Sequence, residues 1–94
     1  MPAKARHIIS ELQIKNSLGL HARPASLFVQ TATAFDAEIM VEKDGEIVNG
    51  KSLMGLLMLA AGCGSVIKIQ AKGTDGQNAI KALEELINRK FDEE

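Results

Sequence analysis

Hydrophobic residues recur along the chain at two different spacings, and these spacings predict where strands and helices form. Apolar and polar positions alternate, as is typical of half-buried strands, in residues 8–15, 38–43 and 66–71. Between these segments the spacing lengthens to three and four residues, which is typical of helices that bury one face. The pattern therefore predicts a chain in which strands alternate with helices.

Two of the predicted helices have a continuous apolar face. The first begins near Ala22, and its apolar positions are Ala25, Phe28, Val29 and Ala32. The last is the clearest, with apolar positions Ala79, Ile80, Leu83, Leu86 and Ile87. Thr74 or Asp75 is expected to cap this last helix, and Arg89 and Lys90 lie at the end where the helix dipole favours cations.

The middle of the chain predicts a hairpin followed by a short helix. Asp44-Gly45 favours a type I′ turn, because that turn needs a positive φ at both positions, and residues 46–49 would form the returning strand. Ser52 precedes the apolar residues 53–59, where it is expected to cap a short helix. The two glycines within residues 62–64 are expected to end that helix.

These segments predict an α+β fold with the order β-α-β-β-α-β-α in one domain, residues 1–94. Because each strand has one polar face, we expect an antiparallel sheet with the helices on one side. The pattern does not distinguish between strand orders, and a ferredoxin-like order fits equally well. The acidic residues 92–94 are expected to form a frayed tail.

The composition excludes several classes of function. Hydrophobic residues make up 46% of the chain and charged residues 24%, as in a globular domain rather than a disordered one. Eleven basic and twelve acidic residues give a net charge of −1, so nucleic acid is not an expected partner. One cysteine and two histidines are too few for a structural zinc site, and we expect neither a metal nor another cofactor. We see no signal peptide and no apolar run near the ~20 residues of a membrane span, so we expect a cytoplasmic protein without membrane insertion.

The segment Gly19-Leu20-His21-Ala22-Arg23-Pro24-Ala25 combines a turn glycine with the start of a helix. Pro24 suits the first turn because its φ is fixed and it has no N–H, which places His21 at or next to the N-cap. A helix N-terminus attracts anions, and the Arg23 guanidinium adds a fixed positive charge. A nucleophilic His21 could therefore form a phosphoramidate that Arg23 and the N–H groups of Ala22 and Arg23 hold. The plainer interpretation is a histidine in the capping region followed by a solvated arginine.

Ser52 and the helix after it also allow two interpretations. A capping role explains Ser52 fully, whereas phosphorylation would place a negative charge beside a helix N-terminus. The helix has more large apolar residues than one buried face can hold. We therefore predict a docking patch of Leu53, Met54 and Leu57 with Leu27 from the first helix, although such residues usually belong to a core.

Both segments resemble motifs of one protein family. Residues 19–25 resemble the active-centre motif of the HPr family, the histidine-containing phosphocarriers of the bacterial phosphoenolpyruvate-dependent phosphotransferase system. Lys51-Ser52-Leu53-Met54-Gly55 resembles the regulatory serine motif of the same family, at the expected distance downstream. The resemblance covers residues 8–87 and every predicted element, and residues 1–6 extend beyond the usual start.

The resemblance implies an open-faced β-sandwich with strand order 1-4-2-3, three helices on one face, and a monomeric stoichiometric carrier rather than a turnover enzyme. His21 would accept a phosphoryl group on Nδ1 from phosphorylated enzyme I and pass it to A domains of permeases or regulatory proteins. Arg23 and the backbone of Ala22 and Arg23 would stabilise that group. Ser52 would be modified by an HPr kinase/phosphorylase where the host has one.

Other functions remain compatible with these residues. The chain could be a nitrogen-related regulatory paralogue rather than a sugar carrier, or a binding module modified only at Ser52. A small acylphosphatase-like enzyme would also use an arginine anion site, but it would not need a nucleophilic histidine beside Pro24. Such an enzyme would keep releasing phosphate, whereas a carrier would stop after one acid-labile, base-stable phosphate per chain.

Overall fold

In the computed structural model, which describes residues 7–93, four strands and three helices follow the predicted order. The strands are β1 (His7–Gln13), β2 (Glu38–Lys43), β3 (Glu46–Asn49) and β4 (Val66–Lys72). The helices are α1 (Ala22–Thr33), α2 (Leu53–Met58) and α3 (Gly76–Asn88), followed by a 3-10 turn at Lys90–Asp92. The predicted N-terminal extension, residues 1–6, and the last residue of the predicted tail lie outside the described residues.

The strands form one antiparallel sheet in the order β1-β4-β2-β3. This confirms the order 1-4-2-3 that the resemblance implied, and it excludes the ferredoxin-like order that the hydrophobic pattern left open. At the centre of the sheet, Ile69 of β4 lies opposite Val41 of β2 and Ser10 of β1. The two strands that are neighbours at the centre are therefore far apart in sequence.

One face of the sheet is buried beneath the helices and the other is open. Fully buried side chains on the covered face are Ile39, Val41, Ile67, Ile69 and Ala71. On the open face Ile9 and Val66 are about half exposed. The alternation follows from the two-residue period of a strand, and α1 and α3 complete the core with Phe28, Leu83 and Ile87. The predicted open-faced α+β sandwich is confirmed.

The hairpin and the cap of α2 form as predicted. Asp44 and Gly45 have φ angles of 52° and 86°, the two positive values that a type I′ turn requires. The Ser52 hydroxyl accepts a hydrogen bond from the Gly55 N–H at 3.1 Å, so Ser52 is the N-cap. In both places the structure follows the preference of the local sequence.

The end of α2 differs from the prediction, because an alanine rather than a glycine makes the turn. Ala60 has a φ of 52°, and its N–H donates to the Leu57 carbonyl at 3.2 Å. A left-handed alanine costs about 1–2 kcal/mol. Its neighbours Leu59 and Ala61 are both only 3% exposed, so their burial holds Ala60 in this conformation.

Asp75 occupies the N-cap position of α3, as predicted, but its carboxylate makes no hydrogen bond to that helix. It accepts instead from the N–H groups of Asp36 and Ala37, each at 2.8 Å. Asp75 therefore ties the start of α3 to the loop between α1 and β2. The loop competes successfully for the carboxylate because it presents two adjacent N–H groups.

The acidic tail is held in place as far as Glu93, which differs from the predicted frayed end. The Phe91 side chain is completely buried, and the N–H groups of Asp92 and Glu93 donate to carbonyls of Arg89 and Lys90. An aromatic ring in the core anchors the residues on either side of it. Within residues 7–93, no helix is long and apolar enough to cross a membrane, and no group of three His, Cys, Asp or Glu side chains is placed to share a metal ion.

Candidate functional site

The loop before α1 runs directly against the loop after α2, and only a glycine allows this approach. Gly19 has a φ of +70°, and a Cβ atom on it would lie 2.5 Å from the Ala61 carbonyl oxygen and 2.6 Å from the Gly62 Cα. The next residue, Leu20, is buried and donates its N–H to Ala61 at 2.8 Å. This contact fixes where the following His21 begins the helix.

His21 is the N-cap residue of α1, as predicted. Its backbone is extended, with φ −81° and ψ −170°, and its carbonyl accepts from the Ala25 N–H at 2.9 Å. The imidazole makes no capping bond to the helix. No group within residues 7–93 accepts from the N–H groups of Ala22 and Arg23, while Pro24 is buried and has no N–H. The helix therefore presents two N–H groups next to the imidazole.

The imidazole of His21 is held through one ring nitrogen. Nε2 lies 3.1 Å and 3.3 Å from the two carboxylate oxygens of Glu93. A carboxylate can only accept, so Nε2 is the donor. No residue among 7–93 hydrogen-bonds Nδ1, and the side chain is 37% exposed. Nδ1, the ring nitrogen that carries the lone pair, therefore has no hydrogen-bond partner among the described residues.

Arg23 supplies the positive charge of the site. It is exposed, and no carboxylate in the described part of the chain forms an ion pair with it. The two N–H groups and the positive end of a 12-residue helix lie at His21, and Arg23 is the second residue of that helix. Together these groups can stabilise a dianionic phosphoryl group.

An apolar surface adjoins the histidine. His21 borders an open depression of about 280 Å³ whose other walls are Leu18, Leu20, Leu57, Ala60, Ala61 and Gly62. Of the predicted docking residues, Leu53 is 42% exposed, Met54 71% and Leu57 38%. Leu57 belongs both to the depression and to the exposed face of α2, so the two surfaces are continuous.

The apolar surface differs from the predicted patch at its edges. Leu27 is only partly exposed and packs against the core, because it lies beside the buried face of α1. Leu18 and Met58 are 73% and 65% exposed, and they extend the surface beyond Leu53, Met54 and Leu57, the other three of the four predicted residues. Met58 stands in the same apolar run as Met54, which was the available signal for including it. We call Leu18, Leu53, Met54, Leu57 and Met58 together the docking face, after the role predicted for this surface.

Two residues of the site were not anticipated. Glu93 belongs to the predicted frayed tail, and Asn16 lies in the loop between β1 and α1. Asn16 is completely buried and bonds to Glu93, which connects it to His21. The available signal was Phe91, a large aromatic residue after the polar end of α3, which marks the tail as packed.

Comparison with known proteins identifies one family for most of the chain. Residues 8–89 match the family model described as the PTS HPr component phosphorylation site. A phosphocarrier protein HPr of Treponema pallidum is 44% identical over 87 residues, covering 93% of this chain and 99% of the relative. A phosphocarrier protein HPr of Neisseria meningitidis is 50% identical over 82 residues, covering 87% and 92%. Both names describe carriers, so the prediction of a carrier rather than a turnover enzyme is confirmed.

Solved structures agree with the sequence comparison. A crystal structure of HPr from Thermoanaerobacter tengcongensis superposes with a TM-score of 0.90 at 53% identity, covering 93% of this chain and 98% of that one. The catabolite repression protein Crh of Bacillus subtilis, described as a dimer with a swapped domain, superposes with a TM-score of 0.71 at 41% identity, covering 83% and 90%. The match extends through the loop, the helix start and the sheet that together position His21, and the chain belongs to the HPr family.

Proposed function

We propose that this protein carries a phosphoryl group on Nδ1 of His21, accepting it from phosphorylated enzyme I and passing it to A domains of permeases or regulatory proteins. The observation that carries the proposal is the state of the His21 ring. Nε2 donates to Glu93 while Nδ1 has no partner among the described residues, at the start of a helix. In that tautomer Nδ1 is the nucleophile.

The groups around Nδ1 suit a phosphoryl group that arrives and leaves again. The N–H groups of Ala22 and Arg23 and the Arg23 guanidinium compensate the charge that the three phosphoryl oxygens share. Within residues 7–93 the two N–H groups have no hydrogen-bond acceptor and the guanidinium has no ion-pair partner, so the phosphoryl group displaces none of these residues. The same groups serve acceptance and donation, as a carrier requires.

The docking face explains how donor and acceptor would share one histidine. Enzyme I and an A domain must each reach His21, so both would contact the depression that His21 and Leu57 border. Exposed apolar residues around a polar centre are typical of protein interfaces, and adaptable methionines such as Met54 suit several partners. A small interface of this kind favours rapid exchange of partners.

Ser52 is the proposed regulatory site, modified by an HPr kinase/phosphorylase. It is half-buried at the N-cap of α2, directly before Leu53 and Met54 of the docking face. A phosphate there would add about −1.5 to −2 charges beside this face while meeting the positive end of α2. We further propose that the protein is a cytoplasmic monomer, since Leu18 and Leu57, which border the depression together with His21, must be free for partners.

The experiment that tests the carrier function measures phosphate incorporation from labelled phosphoenolpyruvate with enzyme I. We expect one acid-labile, base-stable phosphate per wild-type chain and none in His21→Ala. His7→Ala is the matched control, because His7 is the other histidine of the chain and lies on β1 with its Nε2 bonded to Gln70. It should accept phosphate as the wild type does.

Three results would contradict the proposal. Labelling of His21→Ala would place the phosphate elsewhere, and attachment to Nε2 would contradict the role of Nδ1. Continuous release of phosphate would indicate a phosphatase instead of a carrier. The phosphorylated protein can then be mixed with A domains from sugar permeases and from a nitrogen-regulatory protein. The A domain that accepts the phosphoryl group shows which branch of the phosphotransferase system the protein serves.

A further inference from the structure

The chain after α3 folds back to the active-site face through an unusual turn. Lys90, Phe91 and Asp92 have φ angles of 56°, 55° and 59°, a left-handed run of three residues without a glycine. Such a run is strained for L-residues and persists only where surrounding contacts determine it. The complete burial of Phe91 supplies those contacts. The turn delivers the next residue, Glu93, to His21.

Glu93 is fixed at both carboxylate oxygens. Oε2 lies 3.1 Å from His21 Nε2, and Oε1 accepts from the Asn16 side-chain amide at 3.0 Å. The same amide nitrogen donates to the Gly19 carbonyl at 2.7 Å, and Asn16 is completely buried. The Glu93 side chain itself is 17% exposed. A buried amide therefore aims the carboxylate at the imidazole.

We infer that Glu93 is a positioning residue that holds His21 in the tautomer with the proton on Nε2 and the lone pair on Nδ1. It resembles in its chemistry a carboxylate that orients the imidazole of a catalytic triad. Glu93 lies beyond residues 8–89, which match the family model, so the match does not assign it. The significance of the tautomer rests on the proposed carrier function.

The contact between Glu93 and His21 also compensates the positive charge that phosphoryl transfer creates on the imidazole. The Nδ1 lone pair of His21 forms a bond to phosphorus as the bond between phosphorus and the donor breaks, and Nε2 keeps its proton throughout. The ring then carries a positive charge, which the Glu93 carboxylate compensates. When the phosphoryl group leaves for an acceptor, the electron pair returns to Nδ1. No proton needs to enter or leave the ring in either direction.

The first measurement is the tautomer itself, read from ¹⁵N shifts of both histidines in the full chain at pH 9, where an imidazole is uncharged. We expect a single Nε2–H form of His21 in the wild type and a mixture of both tautomers in Glu93→Ala. Glu93→Gln retains an acceptor oxygen and should keep the Nε2–H form. His7 serves as the internal reference and should not change.

The second measurement is the rate of phosphoryl transfer from enzyme I. Loss of a charge-assisted hydrogen bond should slow Glu93→Ala by roughly tenfold or more, with Glu93→Gln between it and the wild type. Asp92→Ala is the matched control: Asp92 is the neighbouring acid, 63% exposed and paired with Arg89 rather than with His21. It should match the wild type in both measurements.

A positioning role requires both changes together. A wild-type tautomer in Glu93→Ala, or a wild-type rate despite an altered tautomer, would overturn the inference. An equal rate loss in Asp92→Ala would also overturn it, because the tail would then act only through its fold. If the wild type accepted no phosphate at all, the carrier function would fail, whereas the tautomer measurement would still decide what Glu93 does to the ring.

Discussion

Replacing Met54 with glutamate tests whether the docking face is where partners bind. Met54 is 71% exposed, so the substitution removes little buried surface from the folded protein. Exposed substitutions change stability by about 0.5 kcal/mol or less, and 1 kcal/mol moves the Tm of a domain this size by about 4–8 °C. We therefore expect the Tm of Met54→Glu to stay within about 2–4 °C of the wild type.

The effect on docking should be much larger. Burying a methionine side chain in an interface contributes about 1.5–3 kcal/mol, and a carboxylate in its place adds a cost of desolvation. Since about 1.4 kcal/mol changes a Kd tenfold, the affinity for enzyme I should fall by about tenfold or more. Ser52→Asp should weaken docking in the same direction, because it adds charge directly before Leu53 and Met54.

Ser52 allows the capping role to be separated from the docking role. Asp is as good an N-cap as Ser, and an acid at a helix N-terminus contributes about 0.3–1 kcal/mol, so the Tm of Ser52→Asp should be equal or slightly higher. Ser52→Ala loses the 3.1 Å bond to Gly55 and should cost about 1 kcal/mol while docking stays normal.

The assay is the initial rate of His21 phosphorylation at enzyme I concentrations below saturation, where the rate reports affinity. Ile47→Glu is the matched control, since Ile47 is 54% exposed on the open face of the sheet, away from the helices. It should retain the wild-type rate. If Met54→Glu and Ser52→Asp are phosphorylated as fast as the wild type, the docking face is ordinary surface and Ser52 only caps α2.

Two further substitutions test the groups that stabilise the phosphoryl group and the fold. Arg23→Ala should slow transfer by at least about tenfold without lowering the Tm, because a charge-assisted contact contributes roughly 1.5–3 kcal/mol. The control is Lys81→Ala, which removes an exposed cation from α3. Equal transfer rates in the two variants would show that the N–H groups suffice. Asp75→Ala removes the acceptor of the N–H groups of Asp36 and Ala37, so it should lower the free energy of unfolding, measured in urea, by about 1–3 kcal/mol. Asp75→Asn should give an intermediate value. A loss below about 0.5 kcal/mol would mean that water replaces the carboxylate.

Several elements of this fold were predictable from local signals. The hairpin at Asp44-Gly45, the cap at Ser52 and the start of α1 at Pro24 each depend on the conformational preferences of one or two residues. The same is true of His21 and Arg23, whose neighbourhood is set by the helix that begins there. Periodicity assigned the buried faces for the same reason, because it follows from the geometry of a single strand or helix.

Contacts between distant segments required the tertiary structure. The strand order places β4 between β1 and β2, and nothing in an alternating pattern identifies its neighbours. Asp75 bonds across to Asp36 and Ala37 instead of capping its own helix, because the fold brings two N–H groups of that loop to 2.8 Å from its carboxylate. Ala60 adopts a left-handed conformation because the residues beside it are buried.

The candidate site also has one part that depends on local sequence and one part that depends on contacts between distant segments. The sequence by itself determined that His21 and Arg23 lie together at the start of α1, because all of these residues fall within one helical turn. Only the folded chain brings Glu93 to His21, 72 residues away, through the burial of Phe91. A charged residue near the end of a chain resembles any solvated tail until a buried neighbour holds it, and burial is a property of the whole fold.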